Sequence, residues 1–203
     1  MNLQSVKKLV GPAGKHAYYR LKYPAPRGLK RLGQCSFVMG PVRIEGAGQI
    51  EIGDNVSVGQ YNWLNAITSY AGAAFTPKLV IGSGTYVGSF CCITCADEVT
   101  IGADCVLSEH VYISDCSHGL NPERGRIMDQ PLALGGAVRI GAGSFVGYQA
   151  TIMPGVSLGK HCIVGANSVV TNSFPDYSMV AGVPARLIKT WSSEAQEWVS
   201  VSA

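Results

Sequence analysis

The sequence predicts an all-β fold, a three-sided prism of stacked coils in which each side of each coil is one short strand. Three observations carry this reading. Aliphatic residues recur every sixth position at Ile140, Val146, Ile152, Leu158, Val164 and Val170. Gly follows four of those six, at Gly141, Gly147, Gly159 and Gly165. The same period runs back to Ile52, giving fifteen inward positions, nine of them followed by Gly. A helix spaces apolar residues by three and four and a half-buried strand by two, so neither gives sixes. A strand plus a turn in each hexad does. Three hexads close a triangular coil, and stacked coils bury one aliphatic stripe along each side. Fifteen positions make five coils, and Val38 and Ile44 suggest one more. The glycines are read as residues that tolerate the positive φ of a tight corner.

Residues 1–35 read as a basic N-terminal arm, irregular or partly helical. Leu3, Val6, Val10 and the Tyr18/Tyr19/Leu21 cluster suit a short amphipathic piece that Pro24 and Pro26 end. Eight of the 16 Lys and Arg precede Gln34, and no Asp or Glu does. The charges are scattered, which favours a solvated arm packed over one end of the prism over a patch for phosphate-rich material. Peripheral membrane contact through the arm is therefore not expected. Nucleic acid is excluded as a partner because no helix, finger or aromatic-basic motif accompanies the charge.

The prism is assigned to residues 36–186. Ile52, Val58 and Leu64 carry a coil, then residues 67–78 (ITSYAGAAFTPK) break the period and predict a projecting loop. Ile81, Val87, Ile93, Ile101, Leu107 and Ile113 resume it. Residues 115–137, rich in Gly, Pro and charge, predict a second projecting loop before two uninterrupted coils. In the final segment, 187–203, the spacing of Leu187, Ile188, Trp191, Glu194, Ala195 and Trp198 predicts a short C-terminal helix. Its Trp191 and Trp198 would cover the open end of the prism, where strand edges are otherwise unpaired, or a neighbouring subunit.

Composition narrows the class. Charged residues are 14% and Gly is 25 of 203, which fits neither a disordered chain nor a helical bundle. No run of 18 apolar residues predicts a transmembrane helix. The N-terminus lacks the apolar core of a signal peptide, so a cytoplasmic location is expected. Of the seven cysteines, Cys92 and Cys95 have the spacing of half a zinc site. Cys91, Cys105 and Cys162, however, each fall four residues after an inward aliphatic, a slot that Val56 and Val156 also occupy. They are read as reduced packing residues, since free Cys behaves as a small hydrophobe. His110 and His118 have no third His within five residues, so no three-His metal set is expected.

Three motifs make the reading more specific: ISDCSHG at 113–119, QPLALGGAVRIG at 130–141 and VAGVPARLIK at 180–189. With them the chain resembles, over roughly residues 36–190, the hexapeptide-repeat acyltransferases. Within these it is most similar to the sugar O-acetyltransferases, a group that includes galactoside, maltose, capsule and lipopolysaccharide enzymes. The resemblance implies a left-handed parallel β-helix, an exception to the right-handed crossover rule. It also implies a homotrimer with sites at subunit interfaces, and acetyl-CoA as acyl donor in the groove between neighbouring prisms.

A single loop His is the family's catalytic base, and His118 matches it. Imidazole titrates near neutrality and can take the proton of a hydroxyl as it attacks a thioester. Asp115 is the candidate to orient that imidazole or to bind a substrate hydroxyl, against a turn-capping role. His110 is a lesser candidate to line the site. Residues matching the family's donor contacts are Tyr148 and Ala166 beside the pantetheine, Thr171 and Asn172 further along, and Arg186 and Lys189 near the nucleotide phosphates. The chain departs from the family in having Phe145 for Trp, Gly88 for an Asn and Asn172 for a Lys. Phe145 keeps an apolar wall but lacks the indole N–H.

The expected function is acetyl transfer from acetyl-CoA to a sugar hydroxyl, in surface polysaccharide or lipopolysaccharide biosynthesis. Two alternatives stay open: an N-acyltransferase on an amino sugar or nucleotide-linked amine, and a non-catalytic β-helix scaffold.

Overall fold

The computed structural model describes residues 18–201. Most of the predicted arm, residues 1–17, lies outside them. The body is a left-handed parallel β-helix of six coils with three flat faces. The first face stacks Arg31–Leu32, Ile50–Ile52, Lys78–Ile81, Glu98–Ile101, Val138–Ile140 and Ser157–Leu158. The second stacks Phe37–Val38, Ser57–Val58, Tyr86–Val87, Val106–Leu107, Phe145–Val146 and Ile163–Val164. The third stacks Arg43–Glu45, Trp63–Ala66, Cys92–Cys95, Tyr112–Ser114, Thr151–Ile152 and Val169–Val170.

The register explains why a period of six folds this way. Ile52, Ile81, Ile101, Ile140 and Leu158 are direct partners from coil to coil on the first face. Val58, Val87, Leu107, Val146 and Val164 are partners on the second, and Leu64, Ile93, Ile113, Ile152 and Val170 on the third. All fifteen predicted inward side chains are at most 3% exposed. Each such burial contributes about 1.5–3 kcal/mol, which is what fixes the stacking of so many two-residue strands.

The prism starts earlier than expected. Arg31–Leu32 pairs in parallel with Glu51–Ile52, so the end of the predicted arm is the first strand of the first coil. Val38 and Ile44 stand on the second and third faces of this coil, as their spacing suggested, whereas half-buried Leu32 on the first face was not picked out. Residues 18–22 are helical. Tyr19 stacks on Phe37 of the second face at 4.7 Å, so this part of the arm packs on the side of the first coil, and Leu29 packs at its end.

The repeat glycines have a different cause from the one expected. None of the nine has a positive φ. The left-handed positions fall three residues after each inward aliphatic at the first two corners, on Asn55, Tyr61, Phe90, Asp104, His110, Gln149, His161 and Asn167 among others. The glycines are required by close approach between coils: a Cβ on Gly82 would lie 2.5 Å from the carbonyl carbon of Gly102. Their distribution is uneven. Gly follows all five first-face aliphatics from Ile52 on, four of the five on the second face, and none on the third.

The predicted C-terminal helix is a β-hairpin. Ala185–Ser192 pairs antiparallel with Ser178–Gly182, which extends the second face, and Glu197–Ser200 pairs with Ala185–Ser192. Trp191 and Trp198 are direct cross-strand partners, with rings edge-to-face at 5.7 Å. An open sheet edge recruits the segment, whose Ile188, Thr190, Val199 and Val201 suit a strand. A register shift between Met179 and Val180 leaves Ile188 without a partner. That bulge breaks strict alternation and mimics helical spacing in the sequence.

Candidate active site

Both interruptions of the repeat leave the prism at the corner after the third face. The first is a hairpin, Ser69–Tyr70 paired with Ala73–Ala74 through a turn at Ala71 and Gly72, both of positive φ. The second opens with a local turn in which Ser114 Oγ donates to the carbonyl of Cys116 at 2.7 Å and accepts its N–H at 3.2 Å. Cys116–Ser117 then pairs antiparallel with Ala133–Leu134 and closes the loop at its base. Inside the loop, buried Gln130 donates to the carbonyls of Asn121 and Gly125 and accepts the Asn121 N–H. Arg126 and Asp129 form an ion pair at 2.7 Å. The loop is therefore a built element whose first free residue past the strand pair is His118.

Between these two projections and the outer third face lies a cavity of about 540 Å³. Its floor is set by strand alternation. Trp63, Cys92 and Tyr112 form one outward column in register, and Asn65, Thr94 and Ser114 a second. Arg43 lies over the Trp63 ring at 4.2 Å and is neutralised by Glu45, whose Oε1 accepts from both Nε and the terminal nitrogen. The buried Trp63 Nε1 has no acceptor among the described residues. Tyr70, His118 and Met128 form the rim. His118 is exposed; its Nδ1 lies 3.3 Å from the Tyr70 hydroxyl, and the two rings meet edge-to-face at 5.5 Å.

Asp115 does not orient this imidazole. It is fully buried, and its two oxygens accept the backbone N–H groups of Ala96 and Asp97, both at 2.8 Å. It anchors the loop to the preceding coil, the capping role weighed for it. His110 is not a cavity residue either. It stacks on Phe90 at 5.0 Å and meets Tyr148 edge-to-face at 5.4 Å, in a column along the corner between second and third faces. His161 stacks on Tyr177 at the corner between first and second faces.

The residues expected around the donor fall into groups. Tyr148 and Ala166 are exposed on the corner between second and third faces, where Asn167 N–H donates to the Tyr148 carbonyl. Thr171 and Asn172 are exposed on the corner after the third face, the one from which His118 projects, two coils further along. Arg186 and Lys189 pair with Ala181 and Met179. Despite their odd spacing, the bulge at Ile188 puts both on the outer second face. No single corner of one prism brings all six together.

Of the cysteines, Cys91, Cys95, Cys105, Cys116 and Cys162 are buried and free. Cys91, Cys105 and Cys162 donate their thiols to the carbonyls of Ser108, Gly141 and Pro175 at 3.2–3.3 Å, so the slot is also a hydrogen-bonding one. Burial pushes the Cys91 and Cys116 thiols up to about 11 and Cys95 to about 12. Among the described residues, no group of three or more His, Cys, Asp or Glu is placed to hold a metal.

Residues 137–172 match the family described as bacterial transferase hexapeptide (six repeats). Over 170 residues the chain is 31% identical to WbbJ of Escherichia coli K12, named as a lipopolysaccharide biosynthesis O-acetyl transferase, covering 81% of this chain and 83% of that protein. The chain belongs to the hexapeptide-repeat acyltransferases, in their sugar O-acetyltransferase group. This acyltransferase is also 28% identical to the galactoside O-acetyltransferase of E. coli K12, over 66% of this chain and 63% of that one. In three dimensions it is similar to AntD, an N-acyltransferase from Bacillus cereus solved with dTDP and 3-hydroxybutyryl-CoA. The TM-score is 0.67 with 21% identity, over 83% of this chain and 86% of that one, a likeness of fold. The chain described here is thus an acyltransferase enzyme.

Sequence reasoning identified His118 but missed Tyr70, Met128 and the floor around Trp63 and Tyr112. A signal was present. The third-face aliphatics are the ones followed by Asn65, Thr94, Ser114, Met153 and Thr171 instead of Gly. At this corner all five positions carry a Cβ that the next coil accommodates, and it is the corner from which both loops leave the prism.

Proposed function

We propose that the acceptor is a sugar hydroxyl in surface polysaccharide or lipopolysaccharide assembly, and that His118 is the general base. The single observation that carries this reading is the position of His118 on the rim of a walled cavity, held where both insertions meet. His118 takes the hydroxyl proton as the acceptor oxygen bonds to the acetyl carbon, and returns it to the departing sulfur, giving an ester and free CoA thiol. Such a base is worth about 10²–10⁴ in rate.

The cavity wall supports a neutral sugar ring as the group that enters. No Lys or Arg stands among its described lining residues, and the carboxylate of Glu45 is already paired with Arg43. Trp63 and Tyr112 flank the smaller Cys92, which suits the apolar face of a pyranose. The relatives named above for lipopolysaccharide and galactoside acetylation point the same way.

The donor site is read as shared between copies in a homotrimer, with Tyr148, Ala166, Thr171, Asn172, Arg186 and Lys189 as its contacts. Their division between two corners and the second face supports a site completed by a neighbouring prism. The second face itself carries Tyr86, Val106 and Phe145 exposed in one column, an apolar stripe suited to association. The first face is charged instead, with Lys30–Glu51 and Arg139–Glu98 ion pairs. Among the described residues no helix is long and apolar enough to cross a membrane, and the reading keeps the enzyme in the cytoplasm, where acetyl-CoA is made.

The test is thiol release from acetyl-CoA with free, nucleotide-linked and lipid-linked hexoses and amino sugars, followed by mass spectrometry of the product. A hydroxylamine-labile ester supports the reading. A stable amide would overturn it in favour of N-acylation, and sedimentation as a monomer with full activity would overturn the shared site.

A further inference from the structure

A neutral imidazole has one N–H and one lone pair. If His118 accepts a proton at Nε2, its ring proton must sit on Nδ1. The free side chain prefers the opposite arrangement, so the competent tautomer has to be imposed by whatever Nδ1 meets. With Asp115 committed to the Ala96 and Asp97 amides, the partner that Nδ1 meets is the Tyr70 hydroxyl, 3.3 Å away. That contact alone leaves the direction open, because a phenol both donates and accepts. Were the hydroxyl to donate to Nδ1, the ring proton would move to Nε2 and the base would be disabled.

A third side chain decides it. The Tyr70 hydroxyl lies 3.6 Å from Met128 Sδ. A thioether accepts and cannot donate, so in that contact the phenol proton points at sulfur. The oxygen then presents a lone pair to Nδ1, and Nδ1–H is the donor. We propose that Met128 and Tyr70 act in series to hold the ring proton of His118 on Nδ1 and leave the Nε2 lone pair free for the acceptor hydroxyl. Both are positioning residues. Tyr70 comes from the 69–74 hairpin and Met128 from the short 3-10 turn Ile127–Asp129, so the two interruptions of the repeat converge on one imidazole. The Arg126–Asp129 pair and the Gln130 staple flank Met128 and fix its turn.

This inference rests on His118 as the base, yet its central claim is read without turnover. The experiment is ring 15N NMR on 15N-histidine-labelled full-length protein above the titration range of the imidazoles, with His118→Gln to assign the signal. The expected result is His118 protonated on Nδ1 in the wild type. Tyr70→Phe and Met128→Leu keep the side-chain shapes, and both should shift the population toward Nε2–H. In parallel, Tyr70→Phe should lower kcat roughly tenfold, a fraction of the 10²–10⁴ carried by a general base, with the KM for acetyl-CoA unchanged. Wild-type His118 protonated on Nε2, or a tautomer indifferent to both substitutions, overturns the proposal. If instead the tautomer is as expected and His118→Ala is fully active, the proposal about the ring stands and the reading of His118 as base falls.

Discussion

Asp115 and His118 stand three residues apart and serve different parts of the molecule: the carboxylate is fully buried against the Ala96 and Asp97 amides, while the imidazole is exposed at the cavity rim. Removing the carboxylate strands the buried Ala96 N–H and the part-buried Asp97 N–H. Asp115→Ala should therefore cost about 3 kcal/mol or more of stability, seen as a lower urea midpoint. Turnover per folded molecule should stay close to wild type. A large loss of turnover at unchanged stability would return Asp115 to the chemistry.

The repeat glycines predict a contrast. Gly82→Ala places a methyl against the backbone of the next coil, 2.5 Å from Gly102 C, and should cost about 1–3 kcal/mol by overpacking. At Gly72 nothing lies within 4 Å of an added Cβ, and only the positive φ of 79° opposes it. Gly72→Ala should cost about 1–2 kcal/mol and act locally, on the hairpin that carries Tyr70. Thermal unfolding of both variants checks the pair, and equal effects on the whole prism would contradict the assignment of cause.

Much of this was legible in the sequence. The period of six located the fifteen aliphatics that stack from coil to coil between Ile52 and Val170, all of them buried, but not Leu79, Val99 and Val138, which also face the core from the longer first-face strands. The first coil was legible at Val38 and Ile44 but not at Leu32, which is only half-buried at an open end where the demand on residue identity is weaker. The C-terminal hairpin was misread because one bulge at Ile188 turned a strand's alternation into apparent helical spacing. Of the site, His118 was visible as a titratable residue where the repeat fails. Tyr70 and Met128 were not, as their meaning depends on the Tyr70 hydroxyl meeting His118, 48 residues along the chain, and Met128, 58 residues along it.

The buried thiols make a chemical prediction. Cys35 is exposed and Cys92 half-buried, so a thiol reagent at neutral pH should modify Cys35 quickly and Cys92 slowly. The five buried cysteines should react only on unfolding. Rapid modification of more than two thiols in native protein would contradict the packing.

The same burial sets an alkaline limit. Desolvation raises the thiols of Cys91 and Cys116 to about 11 and Cys95 to about 12. An unfolded thiol ionises near ~8.5, so the unfolded chain sheds these protons first. The contribution to stability is intact below that pH and is lost as pH rises through the folded values. The thermal midpoint should fall steadily above about pH 9, and Cys95→Ala should make that fall shallower.

Arg186 and Lys189 share the outer second face next to the terminal hairpin and have no carboxylate partner among the described residues. If they meet the donor's phosphates, Arg186→Ala and Lys189→Ala should each raise the KM for acetyl-CoA roughly tenfold, the worth of one charge-assisted hydrogen bond. The same substitutions should leave the KM for dephosphorylated pantetheine donors unchanged. An equal loss with both donors would place the two side chains elsewhere.

The most direct measurement is the rate of CoA thiol release by His118→Ala beside wild type with an accepted sugar, with acetyl-CoA affinity of each determined by calorimetry. The expected result is a fall in kcat of about 10²–10⁴ with donor affinity unchanged. Turnover equal to wild type would contradict the assignment of His118 as the group that takes the hydroxyl proton.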